Sequence, residues 1–284
     1  MLVFGGNGMA GHMIVDYLES RGYDIWFTVR SDKGYSPSSK LVTLDVRDQS
    51  AVHRCLLDVK PDVVVNATGL LNDDAAYRKR EAIYVNSLFP HLLSGLGSKL
   101  GFRLIHISTD CVFSGAEGGY DETSPADGLT YYAKSKSLGE VTDPPDVTIR
   151  TSIIGPELKP NGIGLFHWLM GQQGVIKGYS NVFWNGVTTL ELAKAIEDVM
   201  LASVSGIVHL AVPDKISKYE LLLLIKDTFD RDSVIIVPNG EIFSDKSLAS
   251  TRSDFRIQPA PYPVMIRELK TWMDHSERNY PYLL

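Results

Sequence analysis

The first apolar run of the chain is stopped by glycine almost as soon as it begins. Leu2–Phe4 breaks into GGNGMAGH, and across residues 10–20 Met13, Ile14, Tyr17 and Leu18 recur with helical spacing. Strand, glycine turn and helix in that order make the first half of a βα unit. The alternation continues. Residues 24–29 and 40–44 read as strands, and Ser50 can cap a helix running to about Val59. Val63, Val64 and Val65 form a buried strand, residues 75–100 a long helix, residues 103–107 a strand, residues 132–140 a helix and residues 147–149 a strand. Short apolar strands alternating with helices predict a parallel sheet with helices on both faces. Right-handed crossovers make that sheet doubly wound, of the Rossmann type.

The pattern changes after about Gly155. PELKPNG is a loop, and beyond it short helices (189–201, 218–229) mix with short strands (207–210, 234–237). The expectation is a nucleotide-binding domain over 1–155 and a smaller α/β substrate-binding lobe over 156–284. With no clean linker, that lobe is read as interleaved with the end of the sheet. At 284 residues the chain is long enough for both.

A net charge of −6 argues against a nucleic-acid binder, which is normally basic. It does not argue against a small anionic ligand, which a helix end and a few cations can hold. The two cysteines, Cys55 and Cys111, have neither disulfide-framework nor metal-ligand spacing. The histidines show no HxH or HExxH, so no metal site is expected. No apolar run approaches a membrane span, and MLVFGGNG lacks the basic segment of a secretion signal. A cytoplasmic location is expected.

Gly5, Gly8 and Gly11 form GxxGxxG, a variant of the dinucleotide-binding turn. Glycine there allows a tight turn, close approach to a pyrophosphate and close helix–sheet packing. The helix N-terminus offers unpaired N–H groups to the anion. The whole turn, with Asn7, Met9 and Ala10, is read as cofactor-binding. The second strand ends in TVRS and not in an acidic residue. An acidic side chain would take the ribose hydroxyl of NAD, whereas Arg30 can pair with a 2′-phosphate, so the reading leans to NADPH. Asp45, followed by Val46, can meet the adenine amino group or act as a turn aspartate. Asn66, Ala67, Thr68 and Gly69 end the fourth strand, where small residues let a cofactor pass close to the backbone.

Tyr132 and Lys136 are four apart and share one helix face. An ammonium beside a phenol lowers its pKa and makes it a usable acid at neutral pH. The spacing alone also fits an exposed helical pair. However, STDCVFSG, beginning at Ser108, supplies hydroxyls at a strand end, and Thr109 can hold a carbonyl oxygen beside Tyr132.

GGNGMAGH, YVN at residues 84–86, STDCVFSG, DETSP, YYAKSKSLGE and IRTS together resemble the extended short-chain dehydrogenase/reductase superfamily. More narrowly they are similar to the dTDP-4-dehydrorhamnose reductase family of nucleotide-sugar reductases. The likeness runs to about Gly155 with its motifs in order and weakens beyond. It implies a triad of Thr109, Tyr132 and Lys136, hydride transfer from NADPH to a keto carbon, usually C4, of a nucleotide-linked 6-deoxyhexose, and a homodimer as the superfamily prior. Tyr132 would protonate the alkoxide, Thr109 hold the oxygen, and Lys136 tune Tyr132 and anchor the ribose. Asn86 matches an asparagine that supports such sites, or is a surface amide. Two departures stand out: Gly128 and Thr130 replace an expected proline and asparagine, and Ile153 replaces a frequent tryptophan.

A 4,6-dehydratase would need Asp-Glu after the threonine, and here Cys111 follows Asp110. A 4-epimerase needs tightly held NAD, which Arg30 disfavours. A non-catalytic NADP-binding subunit would be signalled by loss of Tyr132 or Lys136, and both are present. Asp110, Cys111 and Val112 are expected to line the substrate site, Cys111 as a small neighbour and not a nucleophile. Trp184 can stack on the nucleotide base or belong to the lobe core. Arg252 can pair with the diphosphate or form a surface salt bridge.

Overall fold

The structure, a computed structural model, describes residues 1–31 and 40–282. Its main sheet has seven strands: β1 (Leu2–Phe4), β2 (Trp26–Val29), β3 (Leu41–Thr43), β4 (Val63–Asn66), β5 (Arg103–Ile107), β6 (Val147–Arg150) and β7 (Gly206–His209). All pair in parallel, in the order β7-β6-β5-β4-β1-β2-β3. Strand alternation decides what covers each face. Val3, Val65 and Ile105 point to one side, against Met13, Ile14 and Leu18 of helix Met9–Ser20 and Leu192 and Ile196 of helix Thr189–Leu201. Leu2, Phe4, Val64 and Leu104 point to the other, against Leu56 of helix Gln49–Val59 and Phe89 and Leu93 of helix Phe89–Leu100. Each such side chain contributes about 1.5–3 kcal/mol on burial. That is how a β1 of only three residues, all fully buried, is held. The doubly wound α/β fold read from the sequence is the fold observed.

Three helices differ from expectation. Asp48, not Ser50, caps the second helix, accepting from Ala51 N at 2.9 Å. The long helix over 75–100 is instead Asn72–Tyr77, Lys79–Ala82, a π-turn at Ile83–Leu88 and Phe89–Leu100. Pro90 has no N–H for the Asn86 carbonyl, and Phe89 N reaches back five residues to Tyr84 O. Gly139 lies against the Asn86 carbonyl, where a Cβ would meet that oxygen at 1.9 Å. The catalytic-helix candidate, Tyr131–Ser137, stops short of residue 140 just before this close approach.

The C-terminal half adds small sheets. Gly174–Tyr179 pairs with Val234–Asn239, Val182–Trp184 lies between Ile216–Ser217 and Ser244–Asp245, and Ile153–Ile154 pairs with Val187–Thr188. Helices Leu165–Met170, Lys218–Thr228 and Tyr262–Asp274 pack around them. Ser217 and Glu220 form a capping box that starts the second of these. No helix of the described residues is long and apolar enough to cross a membrane.

Candidate active site

The strand order reverses between β1 and β4, so the helices that follow them cover opposite faces and leave a crevice at their C-terminal ends. The glycine-rich turn sits there. Gly5 has φ +90°, and Gly8 N donates to Gly5 O at 2.9 Å. A Cβ on Gly11 would stand 2.1 Å from Gly5 O, so that glycine serves helix–turn packing and not the crevice surface. Helix Met9–Ser20 begins at Gly8 with no side-chain cap and no acid in its first turn. Its N–H groups therefore suit an anion. Ala67, Thr68 and Gly69 cross from β4, with Ala67 O close beside Gly5.

A cavity of about 290 Å³ opens beside this turn, lined by Gly5, Asn7, Gly8, Arg30, Asp45 and Val46 among others. Arg30 is exposed at the end of β2. The Asp45 carboxylate is bonded by Arg47, 2.6 Å away, which holds it below the usual carboxylate range. Arg47 also reaches Glu81 at 2.9 Å. A larger cleft of about 1240 Å³ continues past Gly8, Met9, Ala10 and Thr68 to Ser108, Thr109, Asp110, Cys111, Tyr132 and Lys136, and on to Trp184.

At the end of β5 the chain turns sharply. Ser108 donates to Glu140 Oε1 at 2.7 Å, and Glu140 is paired with Arg150 at 2.7 Å in a buried ion pair. The Thr109 hydroxyl accepts from Cys111 N at 3.1 Å and donates to Asp110 Oδ1 at 3.1 Å. It also neighbours the Tyr132 phenol. Thr130 caps helix Tyr131–Ser137 through Ala133 N at 3.0 Å, which sets Tyr132 into the cleft. Burial pushes Asp110 above its ordinary value and raises the Cys111 thiol to about 11, so at neutral pH the sulfur is a thiol.

Several expectations need correction. Lys136 does not lower Tyr132. Burial pushes the phenol up, as does the Cys111 sulfur. Lys136 Nζ instead donates to the Ile107 carbonyl at 2.7 Å, and burial brings it down to about 8. Asn86 is fully buried and lines neither cavity. Its amide clamps Leu70, accepting from Leu70 N at 2.8 Å and donating to Leu70 O at 2.9 Å, and so shapes the Gly69 turn from behind. Val112 is 1% exposed and packs with Phe113, Tyr120 and Leu248 away from the cleft. Arg252 is paired with Asp254 and donates to the carbonyls of Ser205 and Ile207, at the start of β7 and outside the cleft. Among the described residues, the cations that do line the cleft are Lys136, Lys159, Lys177 and Lys218. The sequence reading missed the last three, whose scattered positions carry no shared motif. It also missed Glu140 and His106, although a histidine inside the apolar strand RLIHI is a visible anomaly.

Against known proteins, the family described as RmlD substrate binding domain matches residues 1–264. The spore coat polysaccharide biosynthesis protein SpsK of Bacillus subtilis is 24% identical over 87% of this chain and 85% of its own. The methionine adenosyltransferase 2 subunit beta of Danio rerio is 26% identical over 85% of this chain and 77% of its own. The crystal structure of dTDP-4-dehydrorhamnose reductase from Bacillus anthracis, in complex with NADP, superposes with a TM-score of 0.78 at 18% identity, covering 95% of this chain and 98% of that one. With the crevice, the glycine turn and a family match spanning nearly its whole length, the chain belongs to the RmlD family of extended short-chain dehydrogenases/reductases.

Proposed function

We propose that this protein is an NADPH-dependent reductase of the C4 keto group of a nucleotide-linked 6-deoxyhexose, acting in the building of a deoxysugar for a polysaccharide or surface glycan. Its family is one of NADP-dependent oxidoreductases. The observation that carries the finer reading is the meeting of Thr109 and Tyr132 on the wall of a cleft continuous with the glycine turn. The B. anthracis reductase with NADP and the polysaccharide role in the SpsK name support it.

The residues fit the cofactor. The uncapped helix start at Gly8 takes the pyrophosphate, Arg30 the 2′-phosphate, and Asp45, Val46 and Ala67 to Gly69 the adenosine. Bound there, NADPH supplies a hydride. The chain's own residues supply the rest. Thr109 turns its one hydroxyl proton from Asp110 Oδ1 to the keto oxygen and donates a hydrogen bond there. Tyr132, kept neutral by burial, gives its phenolic proton to that oxygen as it becomes an alcohol. Lys218 and Lys177 line the cleft and would meet a diphosphate, the role first read for Arg252. Trp184, 5% exposed and packed on Tyr262 in the core, fits the lobe-core reading and not a ring offered to the base.

The test is NADPH consumption with dTDP-4-keto-6-deoxyglucose, wild type beside Tyr132→Phe. Consumption in the wild type, reduced about 10²–10⁴-fold in the variant, is expected; equal rates remove Tyr132 as the acid. The Danio rerio relative favours a second reading, a cofactor-binding subunit of another enzyme. NADPH binding without turnover across a panel of nucleotide keto sugars is its signature.

A further inference from the structure

Helix Tyr262–Asp274 is followed by a segment that packs back across the cofactor end of the molecule. Arg278 pairs with Asp16 of helix Met9–Ser20, its Nε 2.9 Å from Oδ2. Tyr280 stands edge-on to His12, one turn nearer the start of the same helix, with ring centroids 5.8 Å apart. Tyr282 stacks on Tyr280 at 6.1 Å and sets its ring edge-on against Phe166 and His167. Its hydroxyl accepts from Glu157 N at 2.9 Å. Neither tyrosine lines either cavity of the site.

Both sets of contacts lead to the start of the glycine-turn helix. His12 is fully buried, and its Nδ1 is 2.9 Å from the Gly8 carbonyl. A carbonyl only accepts, so Nδ1 carries the ring proton. Burial favours the neutral ring, in which Nε2 then has a lone pair, and the Tyr280 hydroxyl 3.4 Å away is the donor that faces it. The Gly8 carbonyl also accepts from the His12 backbone N–H at 3.1 Å. Two donors thus fix the plane of the Gly8–Met9 peptide. In a trans peptide the N–H points opposite to the C=O, so the Met9 N–H is aimed away from the helix body, toward the crevice that Gly8 and Met9 line. On the other side, Glu157 Oε1 accepts from Gly164 N at 2.7 Å and closes residues 157–164 into a loop. Gly164 lies against Met9, where a Cβ on the glycine would stand 3.2 Å from the Met9 sulfur. That loop walls both cavities with Glu157, Lys159 and Ile163.

We propose that residues 278–282 form a two-armed clasp for the cofactor site: Tyr280 acts through His12 on the Gly8–Met9 peptide, and Tyr282 acts through Glu157 on the wall of residues 157–164. Both are positioning residues, each holding from behind a group that the dinucleotide would meet. The clasp rests on the NADPH reading of the glycine turn and not on the sugar. Its work is pre-organisation. Only molecules with turn and wall in place bind, so a loosened clasp lowers the apparent affinity by the fraction that remains in place.

The test is fluorescence titration of NADPH into the full-length protein, wild type beside Tyr280→Phe and Tyr282→Phe, each with its denaturant midpoint. Phenylalanine keeps the rings and removes only the hydroxyls. Each variant should weaken NADPH by roughly two- to tenfold, the worth of one hydrogen bond. Lowered midpoints with unchanged affinity would make the segment packing alone and overturn the clasp. His12→Asn places a donor near the position of Nδ1 but leaves nothing for Tyr280 to face. On that background Tyr280→Phe should cost no further affinity, and an undiminished loss would detach the first arm from His12. The second arm is read without cofactor, by amide hydrogen exchange. Tyr282→Phe should speed exchange at Glu157 and at Gly164 by roughly tenfold, and an unchanged Gly164 overturns that arm even if His12→Asn does not fold. A wild type that binds no NADPH would count against the cofactor reading, while exchange at Gly164 still decides whether the segment holds the wall.

Discussion

At the cofactor end of the cleft Arg30 is exposed, and the paired side chains of Arg47 and Asp45 are 48% and 38% exposed. At the reacting end Thr109, Asp110, Tyr132 and Lys136 are between 3% and 9% exposed. Water screens charges at the first end, so a pair there is worth little by itself but stays available to an incoming phosphate. At the second end water is excluded, so proton positions are set by neighbouring groups and small changes are amplified. On the proposed function one end recognises and the other reacts, and burial separates the two tasks.

The comparison can be broken most severely at Glu140. Its pair with Arg150 is buried, and Glu140→Gln leaves an uncompensated guanidinium. The expected loss is about 3–5 kcal/mol, read from denaturant midpoints; a loss below a surface pair's value would mean the buried end is wetter than its geometry. Next comes Arg30→Ala, expected to weaken NADPH by roughly ten- to hundredfold with NADH little changed, since a charge-assisted bond contributes about 1.5–3 kcal/mol. Titration of both cofactors decides it, and equal losses would detach Arg30 from the 2′-phosphate.

Lys136 gives a pH signature. Its folded pKa, about 8, lies below its unfolded value, so the unfolded chain binds the extra proton between them. The penalty is full below pH 8 and fades as pH rises toward about 10.4. The stability gap between Lys136→Met and wild type should therefore narrow across that window, in denaturant series at pH 7, 8 and 10. A constant gap would mean that Lys136 is not depressed. The smallest effect belongs to Arg47→Ala, where the exposed pair with Asp45 contributes at most about 1 kcal/mol. A larger loss would show that screening does not govern the cofactor end.

The sheet was legible because strands buried on both faces read as unbroken apolar runs, and VVVN and RLIHI stand out between polar turns. The C-terminal strands were less so. GVIKGY in Gly174–Tyr179 is mostly exposed, contains two glycines, and finds its partner at Val234–Asn239, far along the chain. The break in the long helix was hidden because its apolar spacing continues through the π-turn, and its cause is a missing proline N–H and a distant glycine. In the site, Tyr132 and Lys136 were visible as a spacing and Thr109 as part of a motif. The direction of Lys136 was not visible. It is set by the Ile107 carbonyl at the end of β5, which the fold brings to Lys136 through topology and not through sequence distance. Of the two readings of Arg252 the salt bridge is the one observed, with Asp254, and the diphosphate reading falls for the same reason: nothing local says which end of β7 it will meet.

The segment that carries Glu157, Lys159 and Ile163 walls both cavities. It is tied down from two sides, by Tyr282, whose hydroxyl accepts from Glu157 N at 2.9 Å, and by Gly164 N, which donates to Glu157 Oε1 at 2.7 Å. A wall common to two chambers couples their occupancies to the extent that a ligand in one shifts it for the other. Whatever factor a ligand in one chamber adds to the affinity of the other, the second must return in full to the first.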